Sequence, residues 1–173
     1  EAREVAKVFP AIARDVREKG MLAAPPVCVL AGGETTVTLR DADGRGGTGR
    51  GGAGLGGRNQ ELLLSALRET VVSSPGTRPD GGGSGAGGNP VRTAASDIIF
   101  ASVATDGNDG PTDAAGAYLD ADIVERAGRD SAALESALAR NDAYPYLDGL
   151  GALIRTGPTN TNVCDIQVLL VDS

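Results

Sequence analysis

The sequence predicts a single α/β domain, in which a mixed β-sheet is flanked by helices and carries Gly-rich loop insertions. Apolar runs typical of buried strands occur at 27–31, 98–104 and 165–171, with helical periodicity in the segments between them. Strands that alternate with helical segments are the pattern of α/β proteins. The length of 173 residues, of which 40% are hydrophobic, fits one globular domain.

The segment Glu1–Lys19 has the periodicity of an amphipathic helix. The apolar positions that share one face of this helix are Val5, Val8, Ile12 and Val16. Pro10 predicts a kink or a break, because proline lacks the amide hydrogen that an inner helical turn needs.

Two strands are predicted next, a buried one at Val27–Ala31 and a second at Thr35–Arg40, where β-branched residues alternate. The Gly32–Glu34 segment between them is interpreted as a connector, since glycine most often marks turns. In the alternative interpretation bare backbone approaches a ligand here, and Glu34 and Thr35 offer polar side chains.

Two Gly-rich stretches, at about 41–57 and 73–96, are predicted to be loop insertions in the domain. Stretches with so few apolar side chains cannot offset the entropy of ordering the chain. The first stretch contains Gly-x-Gly-x-x-Gly spacing at Gly47, Gly49 and Gly52. Such a match is expected by chance among many glycines, and it opens no helix after a strand, so we reject a dinucleotide fingerprint.

The segment Gly56–Glu61 immediately precedes the apolar helical run Leu62–Arg68. Asn59 is the predicted N-cap of that helix. The glycines expose backbone amides at the positive end of the helix dipole, and Arg58 adds a full charge, which makes this the best candidate anion site. The equally supported alternative is an ordinary cap beside a solvated arginine.

Three carboxylates, Asp106, Asp109 and Asp113, lie in the loop Thr105–Gly116 directly after the apolar run 98–104. The loop fails the calcium template, because it lacks the acidic residue at the third ligand position and the closing Glu. A Mg²⁺ ion needs fewer carboxylates, which Asp106 and Asp109 could supply. In the alternative, Asp109 caps the turn and Asp113 begins a helix.

The C-terminal part is predicted to form three short helices, at Asp122–Ala127, Ser131–Arg140 and Ala143–Leu147, before a closing strand at 165–171. The polar loop Thr156–Asn162 leads into that strand. Its hydroxyls and amides either satisfy their own backbone or face a polyhydroxy ligand.

Composition excludes several classes of function. A net charge of −7 and a pI near 4.6 argue against nucleic-acid and anionic-membrane partners. The absence of His excludes His-based triads and His-ligated metals in this chain. Cys28 and Cys164 are predicted to be packed thiols in a reducing compartment, and no secretory leader is visible, so we expect a cytoplasmic or mitochondrial protein. No Walker-type loop occurs, and Glu1 in place of Met suggests a piece of a longer polypeptide.

Five polar motifs follow one another in the order that resembles the MOFRL domain, the C-terminal half of type II glycerate kinases. They are Gly32–Val37, Gly56–Glu61, Thr105–Gly116, Asn141-Asp142 and Thr156–Asn162. The resemblance implies ATP-dependent phosphoryl transfer to D-glycerate, with Mg²⁺, in a cleft between two α/β domains. The family's N-terminal Rossmann-like domain is missing from residues 1–173, so we expect it as the partner and expect the isolated fragment to be folded but inactive.

The resemblance also implies roles for single residues. Arg58 and Asp106 would be catalytic, Asp106 and Asp109 would hold Mg²⁺, and Arg58→Ala is expected to abolish turnover with little loss of stability. The residues implied to bind substrate are Gly33, Glu34, Thr35, Asn59, Gln60, Glu61, Asn141, Asp142, Thr159 and Asn162. Two alternatives remain: a hydroxypyruvate reductase-type oxidoreductase, for which no nicotinamide fingerprint is found, and a non-catalytic ligand-binding domain.

Overall fold

A computed structural model describes residues 1–39, 54–73 and 97–173. Its five-stranded sheet has the order β1-β5-β2-β3-β4. The strands are β1 (Val27–Gly33), β2 (Ile98–Ala104), β3 (Gly116–Leu119), β4 (Leu153–Ile154) and β5 (Asp165–Val171). The predicted single α/β domain is confirmed. Every neighbouring pair of these strands is antiparallel, however, whereas the sequence predicted a mixed sheet.

The reason is the position of the C-terminal strand. β5 pairs with β1 on one side and with β2 on the other. β1 and β2 therefore run in the same direction without contacting each other, and no parallel pair forms. Strand order is a long-range property that local sequence patterns do not encode.

Six helices accompany the sheet in the described residues. They are α1 (Ala2–Val5), α2 (Val8–Glu18), α3 (Arg58–Ser73), α4 (Ala121–Gly128), α5 (Ser131–Arg140) and α6 (Ala143–Gly149). α3 is the central helix, because it contacts every other described helix and also the sheet. Its buried side chains include Leu62, Leu63, Leu64 and Leu67. No described helix is both long and apolar enough to cross a lipid bilayer.

The N-terminal segment forms two helices where one kinked helix was predicted. The break falls at Ala6 and Lys7, because the ring of Pro10 would clash with the carbonyl four residues earlier in a continuous helix. The buried side of α2 is also shifted from the prediction: Val8 is 52% exposed, whereas Phe9 is buried. The Phe9 ring stacks on Phe100 of β2 with 4.4 Å between centroids.

Two further predictions differ from the structure. Thr35–Leu39 forms no strand. It lies next to the start of α1 instead, where the amide of Ala2 donates to the Thr36 carbonyl over 2.8 Å. Asp120, and not Asp122, caps α4 by accepting from the Ile123 amide over 2.9 Å. Arg40 and most of the two Gly-rich insertions lie outside the described residues.

The cysteines are not packed thiols. Cys28 and Cys164 are both free and exposed. Cys28 lies on the outer side of β1, and Cys164 precedes β5 in the left-handed conformation, with φ of 68°. Their apolar sequence neighbours suggested burial, but Cys28 takes an outward position in a strand whose residues alternate between two faces, and Cys164 lies in the exposed loop before β5.

Candidate functional site

A cleft of about 400 Å³ opens where the chain leaves β1 and enters α3. Its walls come from four segments that are far apart in the sequence. The lining residues are Thr35, Thr36, Val37, Leu39, Gly56, Gly57, Arg58, Glu61, Gly110 and Asn141. Four of the five motifs identified in the sequence therefore meet in one place.

The N-terminus of α3 is already capped by a carboxylate of the chain. Asp109 Oδ1 accepts from the Asn59 amide over 3.1 Å and Oδ2 accepts from the Gln60 amide over 2.8 Å. The Asn59 side chain donates to the same Oδ1 over 3.2 Å. Because α3 begins at Arg58, Asn59 is the second residue of the helix and not its N-cap. The predicted anion-binding helix end exists, but Asp109 occupies it.

Asp109 is 1% exposed. Burial raises the pKa of its carboxyl, and the hydrogen bonds from Asn59 and Gln60 oppose that shift. Gly57 is essential to this contact, because a Cβ there would lie 2.2 Å from Asp109 Cγ. The sequence indicated both the glycine and the aspartate, but not that they meet.

Arg58, the first residue of α3, is fixed by two carboxylates. Its Nε donates to Asp165 Oδ2 over 2.6 Å and its Nη2 to Asp165 Oδ1 over 2.9 Å. Nη2 also lies 3.1 Å from Glu34 Oε1. The hydrogen bonds to Asp165 raise the pKa of the guanidinium, although burial opposes this. Arg58 is thus held by carboxylates of the chain and is not a free anion ligand, although its side chain remains 29% exposed.

Asp165 was not identified as a site residue from the sequence. It is 1% exposed at the start of β5, opposite Gly33 and Ala104. The sequence did contain a signal, a carboxylate at the start of an apolar strand. A charge that is buried there needs a partner of opposite sign, so this position indicates an ion pair.

Glu61, on the next turn of α3, is held by residues of α1 and of the end of α5. Arg3 of α1 forms an ion pair with Glu61 Oε1, and Asn141 Nδ2 donates to the same oxygen over 3.2 Å. Burial raises the pKa of Glu61, and the charge of Arg3 opposes the shift. Arg3 was not predicted from the sequence, because its partner lies 58 residues away.

Asn141 and Asp142 hold the turn before α3. Asn141 ends α5 in the left-handed conformation, with φ of 57°. Asp142 Oδ1 accepts from the amide of Leu55 over 3.2 Å. Both residues implied to bind substrate therefore contact the chain itself.

A buried polar network supports Asn59 and Gln60 from behind. Ser102 Oγ of β2 hydrogen bonds to Asn59 Oδ1 over 2.5 Å, and Gln167 Nε2 of β5 donates to Ser102 Oγ over 3.3 Å. Gln60 Nε2 donates to Thr112 Oγ1 over 2.9 Å. Asn59 and Gln60 are at most 1% exposed, and neither of the two is among the residues that line the cleft.

The polar loop before β5 forms a second group with Asp106, outside the lining of the cleft. The Thr159 amide donates to the Asp106 carbonyl over 3.1 Å, and Asn162 Nδ2 lies 3.5 Å from Asp106 Oδ2. Asp106 Oδ1 accepts from the Asn108 amide over 3.0 Å, which closes an Asx-turn. These polar groups of the loop therefore find partners within the chain itself.

The predicted magnesium ligands do not form a preformed site. Both carboxylate oxygens of Asp109 accept hydrogen bonds from backbone amides. Asp106 therefore lacks the second carboxylate with which it was predicted to bind Mg²⁺. Among the described residues, no three metal-ligating side chains cluster together. The carboxylates of the described residues therefore do not form a donor set that would hold a Mg²⁺ ion by themselves.

The sequence profile of the MOFRL family matches residues 27–165, which includes all five motifs. The chain belongs to the MOFRL family. The glycerate 2-kinase of Pyrococcus horikoshii is 33% identical to it over 100% of the chain and 32% of the relative. A putative hydroxypyruvate reductase of Agrobacterium vitis is 36% identical over 99% of the chain and 32% of the relative.

Similarity in structure agrees with the MOFRL assignment. The crystal structure of a glycerate kinase from Thermotoga maritima matches with a TM-score of 0.73 at 33% identity. The match covers 99% of the MOFRL chain and 33% of the kinase. The chain thus spans about a third of the length of these relatives.

The buried Glu61 predicts a pH dependence of stability. Because its folded-state pKa is raised, its contribution to stability is complete below the unfolded pKa and is lost as the pH rises through the folded one. Glu61→Gln is therefore expected to flatten the fall in unfolding free energy above about pH 4.3. Urea unfolding at several pH values checks this, and parallel curves for the two proteins would contradict it.

Proposed function

We propose that this MOFRL chain supplies one wall of the active site of an ATP-dependent glycerate kinase, with D-glycerate bound in the cleft beside α3. One observation carries the proposal. Four of the motifs line a single cleft, and one of them contributes Arg58, whose guanidinium is held in place by Asp165. Glycerate carries a carboxylate and two hydroxyls, which suit one guanidinium surrounded by hydroxyl and amide groups. Relatives that share most of the chain are named glycerate kinases.

Arg58 is the proposed charge-neutralising group. Asp165 fixes its guanidinium along one edge, so its direction is set before any ligand binds. Glu34 is 57% exposed and pairs with the same guanidinium, and an anionic ligand would replace it at little cost. Phosphoryl transfer depends on positioning and charge stabilisation of this kind more than on covalent chemistry.

The other parts of the substrates are assigned to the rest of the cleft. Thr35 lies beside Arg58 in the lining and is proposed to orient a glycerate hydroxyl. Asp106 lies outside the lining, and we assign it to the phosphate side of the reaction, where it accepts the proton of the substrate hydroxyl. Mg²⁺, when bound with ATP, would neutralise phosphate charge, and its remaining ligands would come from outside this chain.

The test of this function compares the isolated chain with a longer polypeptide. The chain alone is expected to show no D-glycerate-dependent release of ADP, because its sequence contains no Walker-type phosphate-binding motif. A chimera that joins it to the other two thirds of the Pyrococcus horikoshii kinase is expected to be active. Turnover by the isolated chain would contradict the need for a second domain.

Two other outcomes would replace the kinase proposal. NADH oxidation with hydroxypyruvate by a chimera without kinase activity would favour the reductase function, which the name of the Agrobacterium vitis relative suggests. Calorimetric binding of glycerate and Mg-nucleotide with neither activity would favour a non-catalytic ligand-binding domain.

A further inference from the structure

One face of the sheet is turned away from the helical core. The inward positions of the central strands, such as Phe100 and Leu169, are 3% and 1% exposed. The alternate positions of β1, β5 and β2 lie in register and form three rows of three residues. The rows are Cys28, Leu170 and Ile99; Leu30, Val168 and Ala101; and Gly32, Ile166 and Val103. These nine residues are the open face.

The open face is apolar throughout. Leu30 is 70% exposed, Ile99 is 47%, Leu170 is 40% and Ile166 is 38%. None of the nine residues is charged, and the thiol of Cys28 is the most polar group among them. An antiparallel sheet with one face in water alternates apolar with polar residues, so this pattern indicates a face that another surface covers.

A groove of about 690 Å³ continues the open face at the end where β5 stops. Ile98, Ile99 and Leu170 contribute to its apolar lining, while Asp122 and Asp172 contribute negative charge; Asp97 also lines it but pairs with Arg17. The apolar centre with an acidic border complements a surface with an apolar centre and basic edges. A second copy of the chain would bring more carboxylates to the same border.

We propose that the open face docks the other domain of the longer polypeptide that MOFRL relatives possess. The chain covers only 32% of one relative and 33% of another, so two thirds of those chains lie outside it. A covalently linked domain is present at high effective concentration and covers an apolar face without diffusional encounter. The proposal requires the longer polypeptide but not its kinase activity.

Cys28 provides the probe, because it lies on the open face and is exposed in this chain. Its rate of reaction with a thiol reagent is measured in a Cys164→Ser background, in the chain alone and in the Pyrococcus horikoshii chimera. The chimera is expected to react slower by about tenfold or more, since its thiol becomes accessible only on local opening. Equal rates in the folded proteins would overturn the proposal.

Activity of the chimera separates this proposal from the proposed function. A chimera that protects Cys28 but has no kinase activity would remove the function and keep the docking surface. A chimera that is an active kinase with a fully reactive Cys28 would do the reverse.

Charged substitutions test the surface without labelling. Leu30→Lys is expected to leave the melting temperature of the isolated chain unchanged and to lower that of the chimera, because only the chimera buries this side chain. Val8→Lys, at a 52% exposed position on α2, is the control that should change neither. A large loss for Leu30→Lys in the isolated chain, or a wild-type dimer that the substitution makes monomeric, would overturn the proposal.

Discussion

Replacing Asp109 with alanine is expected to lower the free energy of unfolding by about 3–5 kcal/mol. The change removes the acceptor of three N–H groups at the start of α3, two from backbone amides and one from the Asn59 side chain. Those donors are buried and no water replaces the carboxylate at low cost. For a domain of this size, the melting temperature should fall by about 10 °C. Thermal and urea unfolding measure both quantities.

Asp113→Ala is the matched control for Asp109→Ala. Asp113 lies in the same loop, but its carboxylate is 66% exposed and pairs with Arg155 on the surface. Its loss should cost much less than the loss of Asp109, because an exposed ion pair contributes little to stability. Equal losses in the two variants would show that capping by Asp109 does not stabilise the fold.

Gly57→Ala tests the same contact from the other side. The added Cβ would lie 2.2 Å from Asp109 Cγ, so Asp109 or the start of α3 must shift. If both substitutions act through one contact, their effects on unfolding free energy should not add in the double variant. Additive losses would indicate two independent defects.

The sequence predicted the local features of the site because local chemistry signals them. A glycine pair followed by Arg58 before an apolar helical run indicated the start of α3 to within two residues, since the predicted N-cap Asn59 is the second residue of the helix. The apolar runs at 98–104 and 165–171 indicated β2 and β5 with their bounds, because buried strands require such runs. Family resemblance then singled out the motifs, four of which line the cleft.

What the sequence could not predict depends on contacts between distant residues. Arg58 and Asp165 are 107 positions apart, and they meet only because β5 enters the sheet next to β1. The same strand order explains why the sheet is antiparallel and not the mixed sheet that the sequence predicted. Asp109 and Asn59 are 50 positions apart, and this contact converted a predicted ligand site into an internal cap. Composition and periodicity describe one segment at a time and carry no information on such pairs.

Arg58→Ala is expected to reduce kinase turnover of the chimera by about a thousandfold or more, if Arg58 stabilises charge in phosphoryl transfer. Contrary to the expectation from sequence, it should also lower stability, because Asp165 is 1% exposed and would lose its partner. We expect a loss of about 1–3 kcal/mol, less than for a fully buried pair, since 29% of the arginine side chain is in water. Loss of activity in this variant alone would therefore not distinguish catalysis from folding.

The double variant Arg58→Ala/Asp165→Ala makes that distinction. Removal of both charges leaves no buried carboxylate without a partner, since Glu34 is 57% exposed, so the free energy of unfolding should recover towards the wild-type value. If Arg58 acts on the substrate, turnover stays lost while stability returns. Arg58→Lys should retain most of the stability, because the ammonium group can still pair with Asp165. It should still lose turnover, because an ammonium group lacks the planar fork that contacts Asp165 and a substrate anion at the same time. Recovery of turnover together with stability in the double variant would instead assign Arg58 to the fold, as the partner that anchors β5 to α3.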